Sequence, residues 1–464
     1  MKLTPKDTVG LLLVAGTLGV LYVHIGPDGH ASKHPSSVAD GGGSVTTAVE
    51  SSAVAFVNVN VLPMDRDRVL QNQIVIVEGG FVRSIGPVGQ IEPPPGALII
   101  PGDGSKYLMP GLTDAHVHLE EDAEQWLELF VANGVTTVFN LEGEPRHLEL
   151  RDRIRSEEVL GPTMYTSGPF TNEPRVETPQ QAEDEVRKQA RLGYDFVKIH
   201  GNLSADAYKR LTEVGEEVRI PIVGHAPRNL SLREVLESGQ ASIVHAEELI
   251  YASFPTLDPS DLERVASEIA AAGTWVTPTI STFANNETQW GSIAGLETRL
   301  ASRAVRYAPQ SLRDRWAGPN PYTDKDSSER PRIRAMFDFH PQMLRALARA
   351  GVPMLAGTDA GKPVMVPGFS LHDEIDALAR AGLTSFDALE AATSNAGRFV
   401  QEFVDENANF GTVTRDARAD LILLDENPLL DLSQLRRPVG VMLRGQWYDR
   451  DALDRMLEEV AGNR

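Results

Sequence analysis

Eight times between residues 109 and 408 a short apolar run gives way to a helix-like stretch, and this alternation restricts the folds open to the chain. The runs are LTDAHVHL, GVTTVFNL, PTMYTSGP, DFVKIH, IPIVGH, ASIVHAE, TWVTPTI and VPMLAGTDA; stretches such as PQQAEDEVRKQARLG and SADAYKRLTEVGEEV separate them. Strands joined through helices come back in the same direction, so they pair in parallel. Eight of them predict an α/β fold in which a (β/α)8 TIM barrel closes on itself. A doubly wound open sheet is the alternative, but no Gly-x-Gly-x-x-Gly follows the first strand.

The texture changes on both sides of this region. AVAFVNVNVL and QIVIVEGGFVRSIG are rich in branched residues, with Gly79-Gly80 placed for a hairpin turn, and GALIIPG follows PPP. Strand-like runs return in FGTVTRDARADLILLDENPL and PVGVMLRGQWYD. Segments 51–108 and 409–448 are therefore expected to meet in one β-sandwich, flanking a barrel over 109–408 and followed by a helix over 449–464. The stretch from about 281 to 340 is too long for a simple connection and predicts extra helices near the barrel mouth.

The N-terminus obeys different rules. Lys2 and Lys6 precede an apolar run from Val9 to Val23, the order of a secretory signal. Residues 1–28 read as a signal peptide or an N-terminal membrane anchor attached through residues 9–25, with 29–50 as flexible linker. Either outcome places the protein outside the cytoplasm. The formal net charge of -21, with no basic cluster, argues against nucleic acid as partner and leaves a small molecule. The absence of cysteine excludes disulfides, thiolate metal sites and Cys nucleophiles.

The histidines carry the chemistry. His116 and His118 stand two apart, so in a strand both imidazoles emerge on one face. His225 and His245 close the fifth and sixth strand-like runs, Lys198 lies in the fourth and Asp359 ends the eighth. In a barrel all six face the rim where catalytic groups gather. Neutral imidazole and carboxylate suit zinc or a similar ion. Lysine fits only as a neutral amine, which can add carbon dioxide to form a carbamate able to bridge two ions; a salt bridge to Asp195 or another rim carboxylate is the alternative. His200 alternates with Lys198 and reaches either the rim or a neighbouring hydrogen-bond partner. His372 is expected at the start of a helix, His147 and His340 at the surface or in packing, and Glu142, which follows the second strand, reads as a solvated loop carboxylate, with the orienting of a ligand as the alternative.

With these motifs the chain resembles the amidohydrolase superfamily, more narrowly its imidazolonepropionase-related or prolidase-like branch. PGLTDAHVHL, GYDFVKIHGNLS, IPIVGHAP, ASIVHAEE, LAGTDAG, FDALEAATSNAGR and ADLILLDENPL carry the likeness, which covers about 53 to 448. The resemblance implies two divalent ions, with zinc expected. His116, His118 and Asp359 would bind the first, His225 and His245 the second, and carboxylated Lys198 both. It implies a metal-bridging hydroxide that attacks a carbonyl, with Asp359 as proton shuttle, in hydrolysis of an amide, cyclic amide or dipeptide-like C–N bond. His200 stands where relatives commonly have Tyr, so a substrate contact there is a departure from the pattern. A lactone or ester hydrolase on the same site is the alternative enzyme. A non-catalytic barrel that binds without turnover is the alternative class, and loss of ligands would be its mark.

Overall fold

A computed structural model describes residues 53–462; the leader and linker expected over 1–28 and 29–50 lie outside the described residues. The chain opens with β1 (Ala53–Val61), β2 (Leu70–Glu78), β3 (Phe81–Pro87), β4 (Leu98–Pro101) and β5 (Tyr107–Pro110). Gly79 and Gly80 join β2 to β3 with φ of 56° and 80°. Both values fall in the left-handed region that a two-residue hairpin turn of this twist requires.

Alternation then begins with β6 (Leu112–Val117), α1 (Leu127–Ala132), β7 (Val135–Asn140), α2 (Pro145–Arg155), β8 (Thr163–Thr166), α3 (Pro179–Leu192), β9 (Val197–Ile199) and α4 (Ala205–Val218). It continues with β10 (Ile222–Gly224), α5 (Leu232–Glu237), β11 (Ser242–Val244), α6 (Ala246–Ser253), α7 (Leu262–Ala272) and β12 (Trp275–Thr277). Local chemistry sets the helix limits. In α3, Thr178 Oγ1 accepts from the Gln181 amide at 3.2 Å, Pro179 fixes the first turn, and Gly193 ends the helix in the left-handed conformation. Its Ala182 and Val186 face inward at helical spacing.

The parallel strands fall into two groups, β6-β7-β8 and β9-β10-β11-β12. Single parallel bridges link them onward: Ser167 to Phe196, Val276 to Met354, and Val117 to Ala360. Ala115, Phe139, Val223, Val244 and Trp275, from five different strands, pack with Phe196, Leu355 and Phe399 in one apolar cluster. The segment VPMLAGTDA, expected as a full strand, makes only isolated bridges at Met354 and Ala360. Its ladder is interrupted because the Ala356 amide donates to the Ala391 carbonyl, and the amides of Thr358 and Asp359 both turn to the His116 carbonyl.

The long connection holds α8 (Ile280–Gln289), α9 (Ile293–Leu300), α10 (Gln310–Ala317) and α11 (Arg330–Arg349), so it is helical as its length suggested. α12 (Phe369–Ala381), α13 (Ser385–Ala391) and α14 (Ser394–Phe403) follow, then β13 (Leu421–Leu424), β14 (Gly440–Leu443), β15 (Gln446–Asp449) and α15 (Arg450–Gly462). The terminal β segments join in a single sheet ordered β15-β14-β13-β5-β1-β2-β3, with β4 beside β1. That sheet folds over on itself: Phe56 of β1 meets Trp447 of β15 edge-on at 5.3 Å although three strands separate them in the ladder. Among the described residues no helix is long and apolar enough to cross a membrane.

Candidate active site and metal centre

The two imidazoles of the His-x-His pair do share a face. His116 and His118 bring their Nε2 atoms to 3.1 Å of each other, and Asp359 Oδ1 lies 3.0 Å from the first and 2.8 Å from the second. Asp359 gets there because the broken strand curls back, with its own φ at 59°. His245 Nδ1 lies 2.7 Å from Thr279 Oγ1, and both residues also have positive φ, 73° and 52°. Three non-glycine residues in this region at one site are costly, by roughly 1–3 kcal/mol each, and only tight surroundings maintain them.

The remaining residues complete the cluster. The ring of His245 lies 4.8 Å from that of His116 and 4.9 Å from that of His225, and His225 lies 4.5 Å from His200. Lys198 is in β9, where Gly224 of β10 makes room for it; a Cβ at Gly224 would stand 3.0 Å from Lys198 Cδ and 2.2 Å from the Ile199 carbonyl oxygen. Its Nζ is buried and has no hydrogen-bond partner. The salt bridge to Asp195 does not form, because Asp195 accepts from Arg151 and from the Thr166 amide, each at 2.8 Å. All six residues expected at the rim therefore converge. His200 joins them at the exposed mouth, its ring stacked on Phe170 at 4.6 Å and 13°.

Burial governs the charge states. It holds His116, His225 and His245 well below the usual imidazole range, with Lys198 adding to the effect for all three. Burial also lowers the Lys198 amine to about 7. For Asp359 burial opposes ionisation, but His116 and His118 outweigh it and hold the carboxyl well below its ordinary value. Neutral imidazoles beside an ionised carboxylate form a cation-binding set. Its size fits too: bonds of 2.0–2.1 Å to a tetrahedral zinc put donors about 3.3 Å apart, close to the 2.8–3.1 Å seen here. His116, His245 and Asp359 also form a compact group of ligand atoms within 4.8 Å.

A second layer stands behind these side chains, of which the sequence offered only Glu142, and that as an alternative. Glu142, expected as a solvated loop carboxylate, accepts from His118 Nδ1 at 2.5 Å and from Lys362 Nζ at 3.2 Å. Burial alone would raise its pKa, yet these partners bring it down to about 2. Glu248 Oε1 lies 3.3 Å from His225 Nδ1, and Asp114 accepts from the amides of His116 and Thr358. Asp114 stands two residues before His116 and Glu248 three after His245, while Glu142 follows β7, a strand that carries none of the six. The other histidines serve structure: His147 caps the Glu144 amide, His340 packs against Phe283 at 4.7 Å, and His372 is buried in the first turn of α12.

Parallel strands that deliver imidazoles and an aspartate to one spot define a class of hydrolase, and a family model for the amidohydrolase family matches residues 107–448. The chain belongs to the amidohydrolase family and is a hydrolase acting on carbon–nitrogen bonds. It is 23% identical to an ochratoxinase of Aspergillus niger over 393 residues, covering 72% of this chain and 73% of that one. The solved structure of a bottromycin amidohydrolase is 26% identical with a TM-score of 0.68, over 89% of this chain and 90% of the other. A Xaa-Pro dipeptidase with bound methionine shares the fold at 18% identity and a TM-score of 0.66, over 86% of this chain and all of the other.

Proposed function

We propose that this protein is a metal-dependent amidohydrolase that cleaves an amide bond with Asp359 as the proton carrier, at the mouth of a closed (β/α)8 barrel. The observation that carries this reading is the convergence of Asp359, four imidazoles and a buried, unpartnered lysine amine. Closure is supported by the parallel bridges, which run from β6 round to Met354 and return from Ala360 to Val117. The ochratoxinase and bottromycin amidohydrolase relatives support an amide over an ester.

His116, His118 and Asp359 would hold one divalent ion and His225 and His245 a second, with Lys198 as a carbamate to both; zinc suits these donors. Bound there, the ions would supply an activated water and polarise the substrate carbonyl. Lys198 is prepared for carboxylation because burial leaves a large neutral fraction near pH 7. Its nitrogen lone pair adds to carbon dioxide and one proton leaves. Asp359 takes a proton from water and returns it to the departing nitrogen, which must be protonated before the C–N bond breaks. Glu142, Glu248 and Thr279 hold the imidazoles in register. His200 on Phe170 makes a flat wall at the mouth.

The test is a hydrolysis screen of N-acyl amino acids, dipeptides and lactones after reconstitution with zinc and bicarbonate. Amide turnover is expected. Turnover of lactones alone would move the assignment to an ester hydrolase, and no turnover by metal-loaded protein would favour a binding barrel. Export through residues 1–28 belongs to the same proposal, and fusing residues 1 to 50 to a reporter active only outside the cytoplasm should give signal.

A further inference from the structure

Helices α8 and α9 of the long connection and α12 enclose a cleft of about 570 Å3 that none of the six clustered residues lines. The first turn of α8 stands between the two places, with Thr279 on His245 and with Ile280 and Ser281 on the cleft. Phe337, Val366 and Phe369 give the cleft apolar walls, and its size falls within the roughly 300–1,000 Å3 usual for small-molecule sites. Three arginines and two aspartates line it as well: Arg299 of α9, Asp373, Asp376 and Arg380 of α12, and Arg436 from the segment between β13 and β14. Arg436 takes both carboxylates, with Nη2 at 2.8 Å from Asp373 and 2.5 Å from Asp376. Arg299 has neutral acceptors instead, its Nη2 donating to the Ala284 carbonyl and to Thr288 Oγ1, each at 2.9 Å. Its Nε is buried without a partner.

We propose that this cleft is a second ligand site, apart from the histidine cluster, and that it takes a small monocarboxylate with an apolar body. Charge decides the class. Three guanidiniums against two carboxylates leave one positive charge, which matches a carboxylate and falls short of a phosphate dianion. In a chain of net charge -21 a surplus of this sign is local and opposes the charge of the whole. Burial works against the charge of Arg299 and lowers its pKa, and Asp373 and Glu287 offset only part of this. A half-buried guanidinium bonded only to neutral groups is costly to keep, and an entering anion relieves that cost. The two bonds to α8 also fix the guanidinium before any ligand arrives, so little order is lost on binding. The apolar walls then favour a ligand whose remainder leaves water. The site itself does not depend on amide hydrolysis at the histidine cluster.

The test is calorimetric titration of the zinc-reconstituted protein with 4-phenylbutanoate and with 4-phenylbutan-1-ol, which carries a hydroxymethyl group in place of the carboxylate. The carboxylate should bind at least about 10-fold more tightly, as one charge-assisted pair provides. Arg299→Gln still offers an amide to the Ala284 carbonyl; in this variant the preference should vanish while the alcohol binds as before and zinc content is unchanged. Arg380→Gln, at an exposed position of α12, should lose part of the preference and decides the matter if Arg299→Gln does not fold. Chelation of zinc should leave the preference intact. Equal binding of the two ligands to the wild type would overturn the proposal, as would a preference unchanged in both arginine variants. A preference lost on chelation with Arg299 in place would put the carboxylate on the metal and overturn it too. Binding of neither ligand by protein that light scattering shows to be an oligomer would assign the cleft to a second copy of the chain instead. If the preference depends on Arg299 but no amide in the screen is cleaved, the ligand site stands and the hydrolase reading fails.

Discussion

Lys198 shows why single residues decide this protein's chemistry. A buried amine with no partner destabilises a fold, and its retention among histidines makes sense if the amine is consumed. Asp359→Asn keeps the size and one oxygen but cannot accept a proton. Turnover should fall at least about a hundredfold, while zinc content measured on the same preparation stays near that of the wild type. Full activity with full metal would assign the proton to another group. Glu142→Gln removes the charge that fixes His118, and zinc should then be lost to a competing chelator at roughly 10- to 100-fold lower chelator concentration. Unchanged retention would reduce Glu142 to a surface ion pair with Lys362. That these six side chains come together was legible because a period of two and the ends of apolar runs suffice to place them. Glu248 and Thr279 were not, since neither a carboxylate inside α6 nor a hydroxyl just before α8 carries a sign of its partner, which tertiary packing sets; Glu142 was legible only as an alternative.

At the scale of elements, α8 matters most to the site. Glu374 of α12 is buried and accepts from the amides of Ile280 and Ser281 at 3.0 and 2.7 Å, fastening the first turn of α8 just after Thr279. Burial raises its carboxyl from 4.5 to about 7, although the amides act the other way. The folded state therefore binds a proton more tightly than the unfolded state does. Its stabilising contribution is complete below pH 4.5, declines as pH rises toward 7, and is level above that; the difference is on the order of 3 kcal/mol. Glu374→Gln imitates the protonated form, so urea unfolding at pH 5 and pH 8 should show a smaller loss of stability in the variant than in the wild type. Equal losses would mean the group titrates normally. The strand VPMLAGTDA was misjudged in degree for a related reason. Its apolar pattern indicates an extended, buried segment but gives no hint that the Ala391 carbonyl competes for its amides.

The whole molecule is tied together by strands from opposite ends of the chain. β5 pairs with β13, Leu108 opposite Leu423, and α15 contributes Leu453 and Met456 to the same apolar core as α1. A chain ending at residue 408 should consequently aggregate or remain molten, with no cooperative thermal transition by circular dichroism. A sharp transition would show that the parallel-strand region is independent of the sheet. The meeting of the two flanks in a layered β unit was legible from β texture on both sides; the single continuous sheet and the contact of Phe56 with Trp447 were not, because no local pattern encodes strand order. The pairing of β5 with β13 also sets a clock. The ribosome, adding about 5 to 20 residues per second, delivers Leu423 roughly 15 to 60 s after Leu108. Throughout that interval one edge of β5 stays open, so whatever accompanies the nascent chain must guard that edge until β13 has emerged.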